Sequence, residues 1–301
     1  MENNMKLDKK NELKEKLAHY LFLFNATVAI ISVAAIAFFV FYRGLQPFIP
    51  GNAEGNYSLI DFLTGLEWRP SVGKFGILYM IVGSLLATFG AIILGVPVGI
   101  LTAVFIAELA PKWAKTIIKP AVEMLAGIPS VIYGLFGLGV IVPWIMQISP
   151  QAQGQSLLAV IFVLMIMILP TVITITESAI NSVPDAYREG SYGLGATKLY
   201  TIFKVILPAA KSGILAGVVL GIGRAIGETM AVMLVAGNPI AGLPNSIFSP
   251  IRPLTTNIAM EMSYAFGLHQ EMLFATGVVL FVFIILINLI LSRVTRGSVL
   301  K

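Results

Sequence analysis

The chain has 301 residues, 57% hydrophobic and 12% charged, with a formal net charge of +5 and a mean hydropathy of +0.89. Soluble domains are nearer half apolar and a quarter charged, and several apolar runs here reach the length a helix needs to cross a bilayer, so the composition excludes a soluble fold and indicates an all-α integral membrane protein. The lack of cysteine excludes disulfides, thiolate metal sites and cysteine nucleophiles.

Six spans are expected, at about residues 20–42, 76–108, 120–146, 156–180, 211–236 and 271–292. The first, "YLFLFNATVAIISVAAIAFFVFY", is too long for a signal-peptide core and no small-residue cleavage site follows it, so it reads as an uncleaved signal anchor. Residues 43–75 form an outer loop with the turn-rich stretch "PGNAEGNYS". The second apolar run exceeds 30 residues and holds "GVPVG" at 95–99, so it is either one long kinked helix or two short spans.

Charge placement chooses between them. With a single helix there, Lys6, Lys9, Lys10, Lys14 and Lys16 share a face with Lys112, Lys115 and Lys119, with Arg188, Lys198, Lys204 and Lys211, and with Arg293, Arg296 and Lys301. That face holds fifteen of the twenty basic residues, against Arg43, Arg69, Lys74 and Arg252 on the other. Splitting the second run inverts everything after it and destroys this bias, so the positive-inside rule gives six spans with both termini cytoplasmic. Glu108, Glu123 and Glu177 then fall near cytoplasmic span ends, where anchoring or pairing with nearby lysines is expected. His19 and His269, near span ends, read as interfacial residues.

The inner loop over 181–213, "NSVPDAYREGSYGLGATKLYTIFKVILPAAKSG", reads as two short helices. Ser182 can cap the first, with Pro184 in its first turn and Asp185 at its positive end. Gly193 and Gly195 break it, and a second helix runs from about Thr197 to Val205, ahead of Pro208. Tyr187, Tyr192, Leu194, Tyr200 and Phe203 supply contact surface while Arg188, Lys198 and Lys204 keep it wet. A compact, polar-rimmed helix pair of this kind suits docking on another protein.

The fifth span, "GILAGVVLGIGRAIGETMAVMLVAG", places Arg224 near its midpoint and Glu228 and Thr229 just beyond. A charge at that depth costs a few kcal/mol or more, so it faces protein, an aqueous cavity or a partner charge. On one continuous helix, Gly217, Gly221, Arg224 and Glu228 form a single stripe, with the glycines admitting a close neighbour. An inert Arg224–Glu228 ion pair is one reading; an anion site along a path is the other, because a guanidinium grips phosphate or carboxylate oxygens in a bidentate fashion. Residues 237–270 form a second outer loop, with Pro239, Pro244, Pro250 and Pro253 and a short amphipathic helix in "TTNIAMEMSYAF".

Glu189-Gly190-Ser191, Gly195 three residues later, then Val205-Ile206-Leu207-Pro208 after nine more, resembles the "EAA, three residues, G, nine residues, I-x-L-P" loop of ABC importer permeases. Gly190, Ser191 and Val205 depart from the commonest letters but stay small or β-branched. The run from Gly223-Arg224-Ala225-Ile226-Gly227-Glu228-Thr229-Met230-Ala231-Val232 to Gly237-Asn238, with "LAGIPSVIYGLFGLG" at Leu125–Gly139, resembles the PstC-type subunits of phosphate-specific importers. The resemblance covers about residue 76 to the end.

That resemblance implies a type I, MetI-like permease core at 76–301 behind an amino-terminal segment, anchor and loop at 1–75. It implies a coupling loop at 181–210 seated on an ATPase, with Glu189, Gly195, Tyr187 and Arg188 at the joint. It also implies a phosphate path through Arg224, Glu228 and Thr229, a PstA-type second permease, two ATPase copies, an extracytoplasmic phosphate-binding protein, and a bacterial or archaeal cell membrane. No G-x-x-x-x-G-K-[ST] loop occurs, and the single Gly-Lys pair, Gly73-Lys74, precedes Phe75, so ATP and Mg are expected in the partner ATPase and no cofactor on this chain. A permease for another solute, or a self-sufficient secondary transporter, are the alternatives. No enzymatic constellation or nucleic-acid surface is expected.

Overall fold

The computed structural model describes residues 2–51, 56–150 and 152–299. Part of the turn-rich stretch, residues 52–55, lies outside them, as does Lys301. In chain order the helices are α1 (Glu2–Leu45), α2 (Leu59–Thr64), α3 (Leu78–Val104), α4 (Lys112–Gly127), α5 (Ser130–Phe136), α6 (Val142–Ile148), α7 (Leu157–Asn181), α8 (Asp185–Gly193), α9 (Lys198–Thr201), α10 (Leu207–Ala209), α11 (Lys211–Gly227), α12 (Met230–Val235), α13 (Leu254–Glu261) and α14 (Leu268–Val299). Between α2 and α3, strands β1 (Trp68–Arg69) and β2 (Lys74–Phe75) pair antiparallel, Trp68 opposite Phe75.

Among the described residues, five helical segments are long and apolar enough to cross a membrane, Lys14–Phe48, Leu78–Leu109, Ser130–Ile148, Leu157–Asn181 and Leu268–Ile290, and a sixth span is possible only as the bent pair Lys198–Ala209 and Lys211–Gly227, which meet at 70°. The run with "GVPVG" is therefore one span: α3 passes through Pro97 and ends in a π-helical turn, Phe105–Leu109. The third span is shorter than expected. Pro129 drives Ile128 into an extended conformation (ψ 129°), which ends α4 and starts α5 afresh; Lys112–Gly127 is a separate helix. The fifth span is not continuous either, as described below.

The centre of the bundle is α7, started by Ser156, whose hydroxyl accepts the Ala159 N–H at 3.3 Å. With no hydrophobic drive between helices in lipid, close packing must hold them together, and small residues allow it. On one side α3 presents Gly95 and Gly99 to Ile168 and Val172; on the other α11 presents Gly217 and Gly221 to Ile175 and Val172. A Cβ on Gly99 would lie 2.8 Å from Val172 Cγ1, and one on Gly221 3.0 Å from Val172 Cγ2. Val172 is thus wedged between two glycines from different helices. The stripe read on the fifth span does admit a close neighbour, and that neighbour is α7.

Three apolar clusters follow the length of α3. At its start Tyr79 and Met80 pack with Phe62, Trp68, Phe75, Leu254 and Leu273. At its middle Ala87 and Ala91 join Val160, Leu164 and Val235. At its end Val104 meets Ile180, Ile202 and Ile206. Helix α13 and the hairpin therefore lie at one end of the bundle and α8–α9 at the other. Outside this core, α1 touches α14 through Phe39 and Phe41 against Phe274 and Phe281, Gly44 against Phe274 and Val278, and Arg43 bonded to Gln270, and none of the residues in its apolar window is fully buried.

Candidate functional site

Arg224 sits in the last turn of α11, half-buried, and its Nη1 donates to Thr171 Oγ1 of α7 at 3.4 Å. The helix stops at Gly227. Glu228 is extended (φ −69°, ψ 131°), and Thr229 (φ −122°, ψ −58°) leads into α12. Glu228 therefore does not stand one turn above Arg224 on a shared face, and no ion pair forms between them. The expected four-residue stripe is corrected here: its regular spacing holds only while the helix does, and the helix ends one residue too soon.

The break has its own bonding. Glu228 Oε1 accepts the Ala231 N–H at 3.0 Å, meeting one of the orphan amides at the start of α12. The Glu228 carbonyl accepts the Thr255 hydroxyl of α13 at 2.9 Å. The Thr229 hydroxyl turns back to the Gly227 carbonyl at 3.3 Å. Beside the break Ser84, Thr88, Glu228 and Thr255 line a cavity of about 10 Å³, the size of a single water. Gly223 and Gly227, flanking Arg224, are exposed with open space before them.

At the other end of the bundle, α8, α9 and the π-helical turn Ile202–Ile206 enclose a groove of about 880 Å³ lined by Tyr187, Gly190, Ser191, Leu194, Gly195 and Tyr200. Thr197 caps α9, accepting the Tyr200 N–H at 3.4 Å. Gly195 is left-handed (φ +81°), a conformation that makes glycine the fitting residue between the two helices. Tyr187 and Glu189 are exposed and Leu194 is 91% exposed. Ser182 does not cap α8. Its hydroxyl donates to Ala179 at the end of α7, and Pro184 precedes α8 with no side-chain cap.

Arg188, expected at the joint, points inward. It donates to Glu108 at 2.7 and 3.1 Å, to Asp185 at 3.1 Å, and to the carbonyls of Val183 at 2.8 Å and Ile180 at 3.1 Å. These bonds, above all those to Glu108, push its pKa further up, so the charge is permanent. Arg188 ties α8 to the ends of α3 and α7 and so holds the groove in place. Glu177 pairs with Lys119 at 3.2 Å, as expected of a span-end carboxylate.

A family model described as "Binding-protein-dependent transport system inner membrane component" matches residues 95–298. The chain belongs to that family. Among curated relatives, it is 43% identical over 276 residues to the probable ABC transporter permease protein YqgH of Bacillus subtilis, covering 89% of this chain and 88% of the relative. It is 37% identical to the phosphate transport system permease protein PstC of Pasteurella multocida, over 80% of each chain. Among solved structures, the inward-facing MetNI methionine ABC transporter aligns with a TM-score of 0.55 and 21% identity, over 74% of this chain and 94% of that one. A bacterial ABC transporter that imports the acidic polysaccharide alginate aligns at 0.65 and 16%, over 95% and 99%. At these identities the structures speak for the fold: this inner membrane component has the helical permease core of ABC importers.

Sequence reasoning missed a buried hub at the α13 end of this permease component. Glu261, 6% exposed, accepts Trp68 Nε1–H at 2.6 Å, is bonded by Arg252 Nη2, and lies 2.7 Å from His269 Nε2. His269, at the start of α14, is therefore part of a polar cluster. Its partners are 8 to 193 residues apart along the chain, so no local spacing announces them. Thr171 and Thr255 were missed for the same reason.

Proposed function

We propose that this chain is the membrane permease subunit of an ATP-driven inorganic phosphate importer, forming half of the translocation path and coupling to a separate ATPase. The observation that carries the reading is Arg224. It is a half-buried guanidinium in the middle of an apolar stretch, without a carboxylate partner among the described residues, next to open space at a helix break, in a chain whose relatives include phosphate permeases. An uncompensated guanidinium at that depth attracts an oxyanion more strongly than it could in water.

On this reading α8–α9 face the cytoplasm, as do both termini, and the exposed aromatic groove receives the ATPase, with Glu189, Tyr187 and Gly195 at the contact and Arg188 behind it. The α13 end faces the extracytoplasmic binding protein. A PstA-type second permease closes the path over the exposed face of Gly223 and Gly227. Glu228 and Thr229 line the path beside Arg224. A carboxylate there can accept a hydrogen bond from the P–OH of hydrogen phosphate, whereas sulfate, fully ionised, has no such donor and meets only repulsion. The resting site must hold its ion weakly, since tight binding would trap it.

The test is uptake of radiolabelled phosphate into vesicles that carry the complete importer. Uptake that requires ATP, the ATPase and the binding protein, and that ignores amino acids and sugars, supports the reading. Transport without an ATPase, or of a different solute class, overturns it.

A further inference from the structure

The break at Glu228 decides whether Arg224 is free. Had α11 continued, Glu228 would stand at i+4 from Arg224, the spacing at which carboxylate and guanidinium meet. Their pairing would cancel the positive field at the break. What keeps them apart is the bonding of Glu228 itself: its carboxylate rests on the Ala231 amide and its carbonyl is held by Thr255.

Thr255 is well placed to do this. It is 8% exposed, so its bond to Glu228 is shielded from bulk water. The segment carrying it is fixed on both sides. Leu254 N–H donates to Ser84 Oγ of α3 at 3.1 Å, and at the far end of α13 Glu261 gathers Arg252, Trp68 and His269. The adjoining cavity, lined by Ser84, Thr88, Glu228 and Thr255, is too small for anything larger than a water. The carbonyl of Glu228 has no helical partner to fall back on unless the helix re-forms across the break.

We infer that Thr255 is a positioning residue of the phosphate path: its hydroxyl holds the Glu228 carbonyl at the helix break, which keeps the Glu228 carboxylate on α12 and leaves the Arg224 guanidinium unpaired for an incoming oxyanion. This rests on the phosphate-path reading above. Thr255 touches no transported ion in this arrangement; it acts through Glu228.

The experiment compares Thr255→Val, which removes the hydroxyl at nearly constant volume, with Thr255→Ser, which keeps it. Each is placed in the complete importer in proteoliposomes, and phosphate moved and ATP hydrolysed are measured together. Thr255→Val is expected to lower phosphate moved per ATP at least fivefold with hydrolysis near wild type, and Thr255→Ser to restore the ratio. Adding Glu228→Gln to Thr255→Val should return the ratio to that of Glu228→Gln alone, because an amide cannot neutralise Arg224. A purely structural defect would lower uptake and hydrolysis together and would not respond to the second change. A wild-type ratio in Thr255→Val, or a defect that Glu228→Gln leaves in place, overturns the inference. Thr255→Ala carries the same expectation should the valine variant fail to assemble. Arg224→Gln separates the two levels: normal uptake there removes the path reading and this inference with it. Lost uptake in Arg224→Gln beside a normal Thr255→Val removes the latch alone.

Discussion

Arg224 and Glu228, four residues apart, belong to different pieces of helix and make no ion pair: the guanidinium reaches Thr171 on α7 while the carboxylate caps α12 through Ala231. A helix that ends between two charges has changed their relation from mutual neutralisation to separate tasks.

Replacing Arg224 with Gln is expected to abolish phosphate uptake while the complex still assembles, since the side chain is half-buried and its one bond to Thr171 is long. Arg224→Lys should retain partial uptake, because it keeps the charge and loses the bidentate fork. Uptake assays alongside affinity purification of the complex check both. Wild-type transport by the glutamine variant would remove Arg224 from the path.

Glu228→Gln keeps an oxygen able to accept the Ala231 amide, so the break should survive and the protein should assemble. The variant loses the charge that repels a fully ionised anion. Sulfate should then compete with phosphate for uptake where it did not before. Competition assays with the two anions decide, and unchanged exclusion of sulfate would assign that discrimination elsewhere.

Arg188 is 18% exposed and Glu108 10% at the side chain, so removing one partner leaves a mostly buried charge. Arg188→Ala is expected to loosen α8 by about 3 kcal/mol, toward the lower end for a broken buried pair. Amide hydrogen exchange over 185–193 should accelerate. ATP hydrolysis should continue with less phosphate moved, because the groove is no longer fixed to α3. Unchanged exchange in α8 would contradict the clamp.

Glu261→Gln strands Arg252, whose side chain is 3% exposed, with no countercharge. A loss of about 3–5 kcal/mol is expected. It should appear as a large drop in the melting temperature of the detergent-solubilised complex, and retention of the wild-type melting point would show that the hub is not held by charge.

Gly99→Leu should cost about 1–3 kcal/mol by overpacking, because its Cβ meets Val172 at 2.8 Å and a β-branched neighbour has little rotamer freedom with which to move aside. Val172→Ala in the same chain should return part of that loss. Thermal stability of the single and double variants measures the coupling, and additive effects would mean that the two residues do not press on each other.

Much of this was legible in the residues themselves. Runs of apolar side chains about 20 long must be helices in lipid, where every backbone group needs an internal partner, so the spans follow from composition. A single helix over 76–108 followed from the distribution of lysine and arginine. The glycine steps of the fifth span foretold a close neighbour, and the proline and glycine signals over 181–213 foretold two short helices around Gly195. What failed were positions where the chain departs from its own periodicity. Ile128 ends α4 because Pro129 follows, a local signal that was present and overlooked. Gly227, directly before the break at Glu228, was likewise a local signal that was present and overlooked.

The sequence by itself thus determined the membrane class, most of the apolar spans, the Arg224 charge within one of them, and the helix pair between two spans, because these depend on composition and short-range spacing. Only the tertiary structure decided which groups satisfy that charge. Thr171, Ala231 and Thr255 reach the Arg224–Glu228 segment from three other elements, and Glu261 draws its donors from three places along the chain. At this break the carboxylate of Glu228 is held locally by Ala231, but its carbonyl and the Arg224 guanidinium are met by Thr255 and Thr171, residues distant in sequence.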